Sequence, residues 1–438
     1  MKSSKTALFL SLLLSSTFLS ATTLTFSEAY NLALENANSI KSTKYLAEAD
    51  KEKITQEKSQ LYPQLRLSLS YKSSNYEYHK DFPSNVDNIK QNQFNGTITL
   101  RQPIYAPETY SRIDMQKSRS KYSDVKVNLE KEQLAQDVFN AYLDVLKSRS
   151  KIELLESYLE FNRIKYKKIK KQFEKNLSNK MDLLEMEVEY NSAKIDLSKE
   201  KKFFDAYSLR LKQFIGDARY ELPKLKKSDA PILEMIDQMS FKIMGTMRSL
   251  KIKEAKIAAE ISKNSVENAK DGHLPTVTLD AAASRYEMNE PDVTAPYAHT
   301  EYAMINVNIP LYSGGYTSSK VASSKLEYKA ALEEIKRTEK EVGIEYRHSL
   351  ALFNASIASV KMYKESLAST ELYVKSIEQG YKYGLKSIID LTEAKSKFYE
   401  VKYKYVENIY EMVNSYITLI IITHNFDGIS LLDELVKE

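Results

Sequence analysis

The sequence predicts a mainly α chain, built twice over, that also carries four β-strands patterned like those of a transmembrane barrel. Three observations predict it. Two long tracts without proline show the periodicity of packed helices. Four segments beside the prolines alternate apolar and polar residues. The motifs at their joints recur in the same order in each half.

Composition sets the limits. The chain has 438 residues, no Cys, and only 10 Gly and 10 Pro, so its elements are long and rarely interrupted. Without Cys there is no disulfide, Cys-ligated zinc or thiol nucleophile. Lys+Arg of 64 against Asp+Glu of 59 gives +5, too balanced to indicate a nucleic-acid partner. Beyond the N-terminus no apolar run reaches the length of a membrane helix, about 18 residues.

The order of elements follows from the N-terminus. Lys2 and Lys5, the apolar run Ala7 to Leu14 and the small residues up to Ala21 read as a secretory signal peptide, residues 1–21. A first structural repeat then spans 22–216, a connection 217–240, a second repeat 241–424 and a tail 425–438. The prolines stand at 63, 83, 103, 107, 223, 231, 275, 291, 296 and 310. In the first proline-free tract Leu134, Val138, Ala141, Val145, Ile152, Leu155, Leu159, Tyr166, Ile169 and Phe173 lie on one heptad stripe, with Ser148 and Asn162 at its polar steps. Tyr346, Leu350, Phe353, Ile357, Val360, Leu367 and Val374 form a similar stripe in the second. Such a repeat means helices packed lengthwise. One helix over 108–174 would be roughly 100 Å long, too extended for a compact core. Periodicity alone leaves a coiled-coil rod open.

The strands read differently. Leu65, Leu67, Leu69 and Tyr71 interleave with Arg66, Ser68, Ser70 and Lys72. Phe94, Ile98 and Leu100 interleave with Asn95, Thr97, Thr99 and Arg101, with Gly96 on the apolar side. Val277, Leu279 and Ala281, and then Ile305, Val307 and Ile309, alternate likewise. One apolar and one polar face suit a barrel with a wet lumen, and suit equally an antiparallel sheet half buried in a soluble domain. The links 72–92 and 284–302 are long and polar, like external loops. Four strands cannot close a barrel, and an open edge is not viable in lipid. If they span a membrane, protomers must share one barrel, and three would supply twelve strands. Tyr71, Tyr76, Tyr78, Tyr105, Tyr302 and Tyr312, near strand ends, suit an interfacial aromatic belt.

The halves echo one another. Pro63 matches Pro275, Pro103-Ile104-Tyr105 matches Pro310-Leu311-Tyr312, and Asp182-Leu183-Leu184-Glu185 matches Asp390-Leu391-Thr392-Glu393. The long helices reverse at Lys175-Asn176-Leu177-Ser178 and at Tyr383-Gly384-Leu385-Lys386-Ser387. Asn176 and Gly384 are residue types that accept the left-handed conformation ending a helix. Asp182 and Asp390 suit the positive starts of the returning helices.

Taken together these motifs resemble the TolC family of outer-membrane efflux proteins. The resemblance rests on Leu24 to Ala29 with Ala33 to Asn36, Leu61 to Leu67, Gln102 to Tyr105, Ile309 to Gly315, and Tyr381 to Asp390. It covers residues 22–424. Ala106-Pro107-Glu108 replaces the family's Gly pair in the first copy, so the two elbows should differ. The resemblance implies a homotrimer: a twelve-stranded barrel in the outer membrane of a Gram-negative cell, continued by a long α-helical barrel through the periplasm. It implies an exit channel for tripartite efflux or type I secretion. The partners would be a periplasmic adaptor, an inner-membrane pump of RND or ABC type, and outer-membrane lipid. Asp390 and Glu393 would line the periplasmic constriction, where six carboxylates should raise some pKa values and attract cations. Tyr381 and Lys386 would pair with Asp182 to hold the gate. Lys386 stands where the family's best-known member has Arg, so a bidentate bond is lost. Asn176, Leu177, Ser178, Gly384, Leu385, Lys386 and Ser387 would meet the adaptor.

Catalysis has no constellation to support it. The histidines at 79, 273, 299, 348 and 424 show no ligand spacing, and no P-loop, G-x-S-x-G or H-E-x-x-H occurs. No catalytic residue, cofactor or metal is expected. Asp390 and Glu393 alone also read as a solvated helix face. The rival functions are a periplasmic coiled-coil scaffold or adaptor without channel activity, and an adhesin displaying its loops.

Overall fold

The computed structural model describes residues 24–77, 88–216, 248–289, 297–424 and 432–433. The expected signal peptide, the connection 217–240, Tyr78 and nearly all of the tail lie outside them.

Two short helices, α1 (Phe26–Asn36) and α2 (Asn38–Ser59), lead into strands β1 (Gln64–Glu77) and β2 (Asn88–Tyr105). The 68-residue helix α3 (Pro107–Glu174) and α4 (Lys180–Ile215) complete this half. The second half repeats the order with α5 (Leu250–Asp271), β3 (Thr276–Asn289), β4 (Tyr297–Asn308), the 67-residue α6 (Tyr316–Lys382) and α7 (Ile388–Ile422). At 1.5 Å per residue α3 and α6 are each about 100 Å long. Among the described residues no helix is long and apolar enough to cross a membrane.

Local chemistry sets the boundaries. Thr25 and Glu28 form a capping box at α1, each side chain accepting the other's backbone N–H at 2.9–3.2 Å. Pro107 opens α3 at its first position, where its missing N–H costs nothing. The matching elbow before α6 uses Gly314 and Gly315 at φ 60° and 82°, which side-chain-bearing residues avoid. The two elbows therefore differ, as the substitution of the Gly pair implies.

The strands form one antiparallel sheet in the order β1-β2-β3-β4. Leu65 lies opposite Leu100, Leu67 opposite Ile98, Leu69 opposite Gly96 and Tyr71 opposite Phe94. Leu100 faces Ala281, and Leu279 faces Ile305. The apolar residues of all four strands thus share one face. A bulge between Pro103 and Tyr105 turns Tyr105 onto it, opposite Val277. Tyr302 pairs with Ala282 and falls on the polar face, so it is not part of a belt on the apolar side. On β3 and β4 the apolar band gives way toward the loops to Arg285, Glu287, His299 and Glu301.

That apolar face is uncovered. Leu65, Leu67, Leu69 and Tyr71 are 62–73% exposed, and Ile305 and Val307 are more than half exposed. A soluble chain rarely leaves so large an apolar surface in water.

Around the sheet the neighbours are α2–α3–α5–α6; toward the helix turns they are α4–α3–α7–α6. The main core joins α1, α3, α4, α6 and α7. At its centre Phe26 packs on Tyr142 with ring centroids 4.4 Å apart, and Tyr142 donates to the carbonyl of Leu24. Each such ring contributes about 1.5–3 kcal/mol through burial. The heptad stripe of α3 is buried at Leu134, Val138, Ala141, Val145 and Ile169. Its polar steps are buried too: Ser148 donates to Glu200 at 2.7 Å, and Lys151 closes on Glu200 at 2.9 Å.

Candidate functional site

The residues singled out at the two reversals meet at one end of the molecule. A second core pins them: Ile169 of α3, Leu183 and Met186 of α4, Val374 and Ile377 of α6, and Ile388, Leu391 and Ala394 of α7. Both hairpin tips therefore stand on one packed platform.

The first tip closes as Asn176 takes φ 56°, with the Leu177 N–H donating to the carbonyl of Gln172 at 2.8 Å. Asn179 then caps α4, its side chain accepting the Asp182 N–H at 2.7 Å. The second closes on Gly384 at φ 73°, with Leu385 and Lys386 both donating to the carbonyl of Gly380. These are left-handed helix ends of one pattern in two sequences. Leu177 and Leu385 project into solvent at 72% and 79% exposure.

The acids sit just inside the returning helices. Asp182 accepts from the Ser178 hydroxyl at 3.2 Å. Asp390 accepts from both the N–H and the hydroxyl of Ser387 at 2.8 Å, completing a capping box. Those Ser387 hydrogen bonds, helped by the Lys386 charge, hold its carboxyl below the usual range. Within the protomer the direction is thus opposite to that expected of a crowded ring. Lys386 lies 3.9 Å from Asp390, both partly exposed. Glu393 is exposed one turn along α7.

Tyr381 is half buried under two ammonium groups, those of Lys165 and Lys168, each 5.0 Å from its ring centroid. Desolvation, with repulsion from Lys168 and Lys395, pushes the Lys165 pKa down. Among the described contacts of one protomer, neither Tyr381 nor Lys386 pairs with Asp182. The structure brings Asp390, Lys386 and Ser387 together, and leaves Asp182 on the neighbouring hairpin. Sequence reasoning missed Gly380. A Cβ there would lie 2.9 Å from Cγ of Lys386, so the glycine lets Lys386 fold back over α6. A glycine within a helix, one turn before its end, was the available signal. Among the described residues no group of three or more His, Cys, Asp or Glu could hold a metal ion.

Comparison with known proteins bears on the family and the fold. The family model described as outer membrane efflux protein matches residues 29–217 and 247–423. Outer membrane protein TolC of Vibrio cholerae serotype O1 is 22% identical over 407 residues, covering 90% of this chain and 89% of that protein. The proteases secretion protein PrtF of Dickeya chrysanthemi is 20% identical over 420 residues, covering 94% and 91%. Among solved structures, CusC superposes with a TM-score of 0.79 at 14% identity over 92% of both chains. The Campylobacter jejuni CmeC outer membrane channel gives 0.76 at 16% identity, covering 94% and 90%. At such identities the structural likeness speaks for the fold.

Proposed function

The chain belongs to the outer membrane efflux protein family, and from that premise we propose that it is a gated exit conduit shared by three copies. The family's members are channel proteins of the outer membrane, with the helical part in the periplasm. One observation supports the reading: among the described residues, sheet and helices alike have two edges without a neighbour. One edge is β1, α2 and α4; the other is β4 and α6. Sheet and helices end on the same two sides, so one head-to-tail contact joins both at once. Both edges are apolar where helices would meet: Val188, Ile195 and Leu209 on α4 are 65–70% exposed, as are Leu326, Met362 and Leu372 on α6, at 62–65%. Three protomers make a ring of twelve strands with no edge left, which is what lipid requires. The uncovered apolar sheet face then meets lipid, and the polar face lines a water-filled lumen.

The tips gain meaning in such a ring. Asp182 lies in the first turn of α4, one open edge, while Tyr381 lies in the last turn of α6, the other, and Lys386 in the turn that follows it. Closing the ring sets Asp182 of one protomer against Tyr381 and Lys386 of the next. We assign these residues to the periplasmic gate, with Asp390 and Glu393 lining the constriction. The tip residues Asn176, Leu177, Ser178, Gly384, Leu385, Lys386 and Ser387 are assigned to adaptor docking, and an inner-membrane pump would supply the cargo. No catalytic step belongs to this reading.

Single-channel recording on the detergent-extracted protein, wild type beside Lys386→Ala with Tyr381→Phe, tests it. A small conductance that rises in the double variant is expected. Confirmed insertion without conductance in either protein would refute the conduit; equal conductance would refute the gate assignment alone.

A further inference from the structure

The polar face of the sheet carries a charge pattern that its alternation does not require. On it stand Arg66 and Lys72 of β1, Arg101 of β2 and Asp280 of β3; β4 contributes Ala298, Thr300, Tyr302, Met304, Asn306 and Asn308. Asp280 is the one acid on this face among the described residues. It is committed: Arg101 lies directly opposite it in the register, 3.7 Å away, and Thr278 donates to it at 2.8 Å. Arg66 has no carboxylate partner among the described residues. It pairs in register with Thr99, two residues from Arg101, so the two arginines are diagonal neighbours on one face, their backbones about 7–8 Å apart. Both lie near the end of the sheet that joins the helices. Lys72 is six residues farther toward the loops, about 20 Å along the strand.

We infer that Arg66 and Arg101, offset only by Asp280, form a basic filter at the barrel end of the conduit, favouring cargo that bears carboxylate or phosphate groups. This rests on the trimeric conduit reading. A ring of twelve strands at the usual spacing and tilt is about 24 Å across. Arginine side chains reaching about 6 Å inward bring the charges close to an axial ion, within the Debye length of about 8 Å at physiological salt. Across three copies this places six guanidiniums against three carboxylates at one level. The excess is Arg66, repeated by symmetry. The other end of the conduit is acidic at Asp390 and Glu393, so the two ends oppose each other. An acidic end in series with the filter would mask its selectivity.

Reversal potentials in a KCl gradient across a planar bilayer test this, in the background Asp390→Asn with Glu393→Gln, which neutralises the acidic end. That background should favour chloride. Arg66→Gln should lower the chloride-to-potassium permeability ratio roughly threefold, from three screened charges near the axis, and Asp280→Asn should raise it. Arg66 is exposed and has no carboxylate partner among the described residues, so its variant should assemble; light scattering checks the oligomer. Reversal potentials that do not differ among the three overturn the filter while leaving the conduit. Absence of conductance from all of them, with insertion confirmed, overturns the conduit and the filter with it.

Discussion

Replacing Lys151 by Met should loosen the middle of the helical body selectively. The Glu200 side chain is 7% exposed and Lys151 34%, so the pair is buried on one side only. The Lys151 ammonium also sits 5.0 Å from the Tyr403 ring centroid, so this one side chain ties α3 to α4 and α7. Burial alone would depress its pKa; the Glu200 hydrogen bond and charge outweigh that and hold it above its ordinary value. Removing the cation leaves a buried carboxylate with only the Ser148 hydroxyl as donor. A fully buried broken pair costs about 3–5 kcal/mol. Because water reaches the lysine side, about 2 kcal/mol is expected here, a roughly thirtyfold rise in local opening. Glu200→Gln should cost less, because the freed ammonium can turn to solvent. Hydrogen exchange on residues 196–204 and 399–407 measures both, with amides at the tips as internal control. The stabilisation is fully present at neutral pH. Since the folded pKa is raised, it should be lost as pH rises through that value. Equal exchange in the two variants, or no change with Lys151→Met, would refute the assignment of a buried carboxylate held by one lysine.

Three more outcomes follow from particular positions. Leu391→Ala, fully buried in the platform beneath both tips, should destabilise that region by about 2–5 kcal/mol, read as faster exchange across 166–186 and 374–394. Gly384→Ala forces a Cβ onto a backbone at φ 73° and should cost about 1 kcal/mol at that turn; Asn176→Gly, at φ 56°, should be neutral or slightly stabilising, so exchange at the two turns should move in different directions. Val188→Asp places a charge on the exposed apolar stripe of α4, and light scattering should show dissociation of the proposed trimer while helical content by circular dichroism stays unchanged.

Periodicity made most of this fold legible, because each element exposes its neighbours' requirements in its own spacing. Period two gave the correct face for the apolar residues named inside the strands, and the register brings those faces together; Ile309, also named, lies just past the end of β4. Position near a strand end was a weaker guide. Tyr302 lies mid-strand in β4, opposite Ala282 on the polar face, whereas Tyr105 reaches the apolar face only through a bulge that alternation does not encode. Glu200 was illegible for a different reason. Beside Lys199, Lys201 and Lys202 it looks like part of a solvated helix face, and its burial depends on where α3 crosses α4, a tertiary fact. Ser148 held the missing signal: a hydroxyl on an otherwise apolar stripe, buried in a helix, needs a partner. The same logic bears on the tip. Asp390 could be placed on the correct helix end from sequence, but the direction of its pKa within one protomer depends on Ser387 three residues earlier. That capping box favours the charged carboxylate, so its contribution to stability is present above the unfolded pKa and is lost as pH falls through the lowered folded one. Any repulsion from the five other acids of a closed ring must first overcome this local preference. In the proposed ring Asp390 would therefore stay ionised to lower pH than bare crowding implies, which would keep the proposed acidic end opposed to the arginines proposed at the barrel.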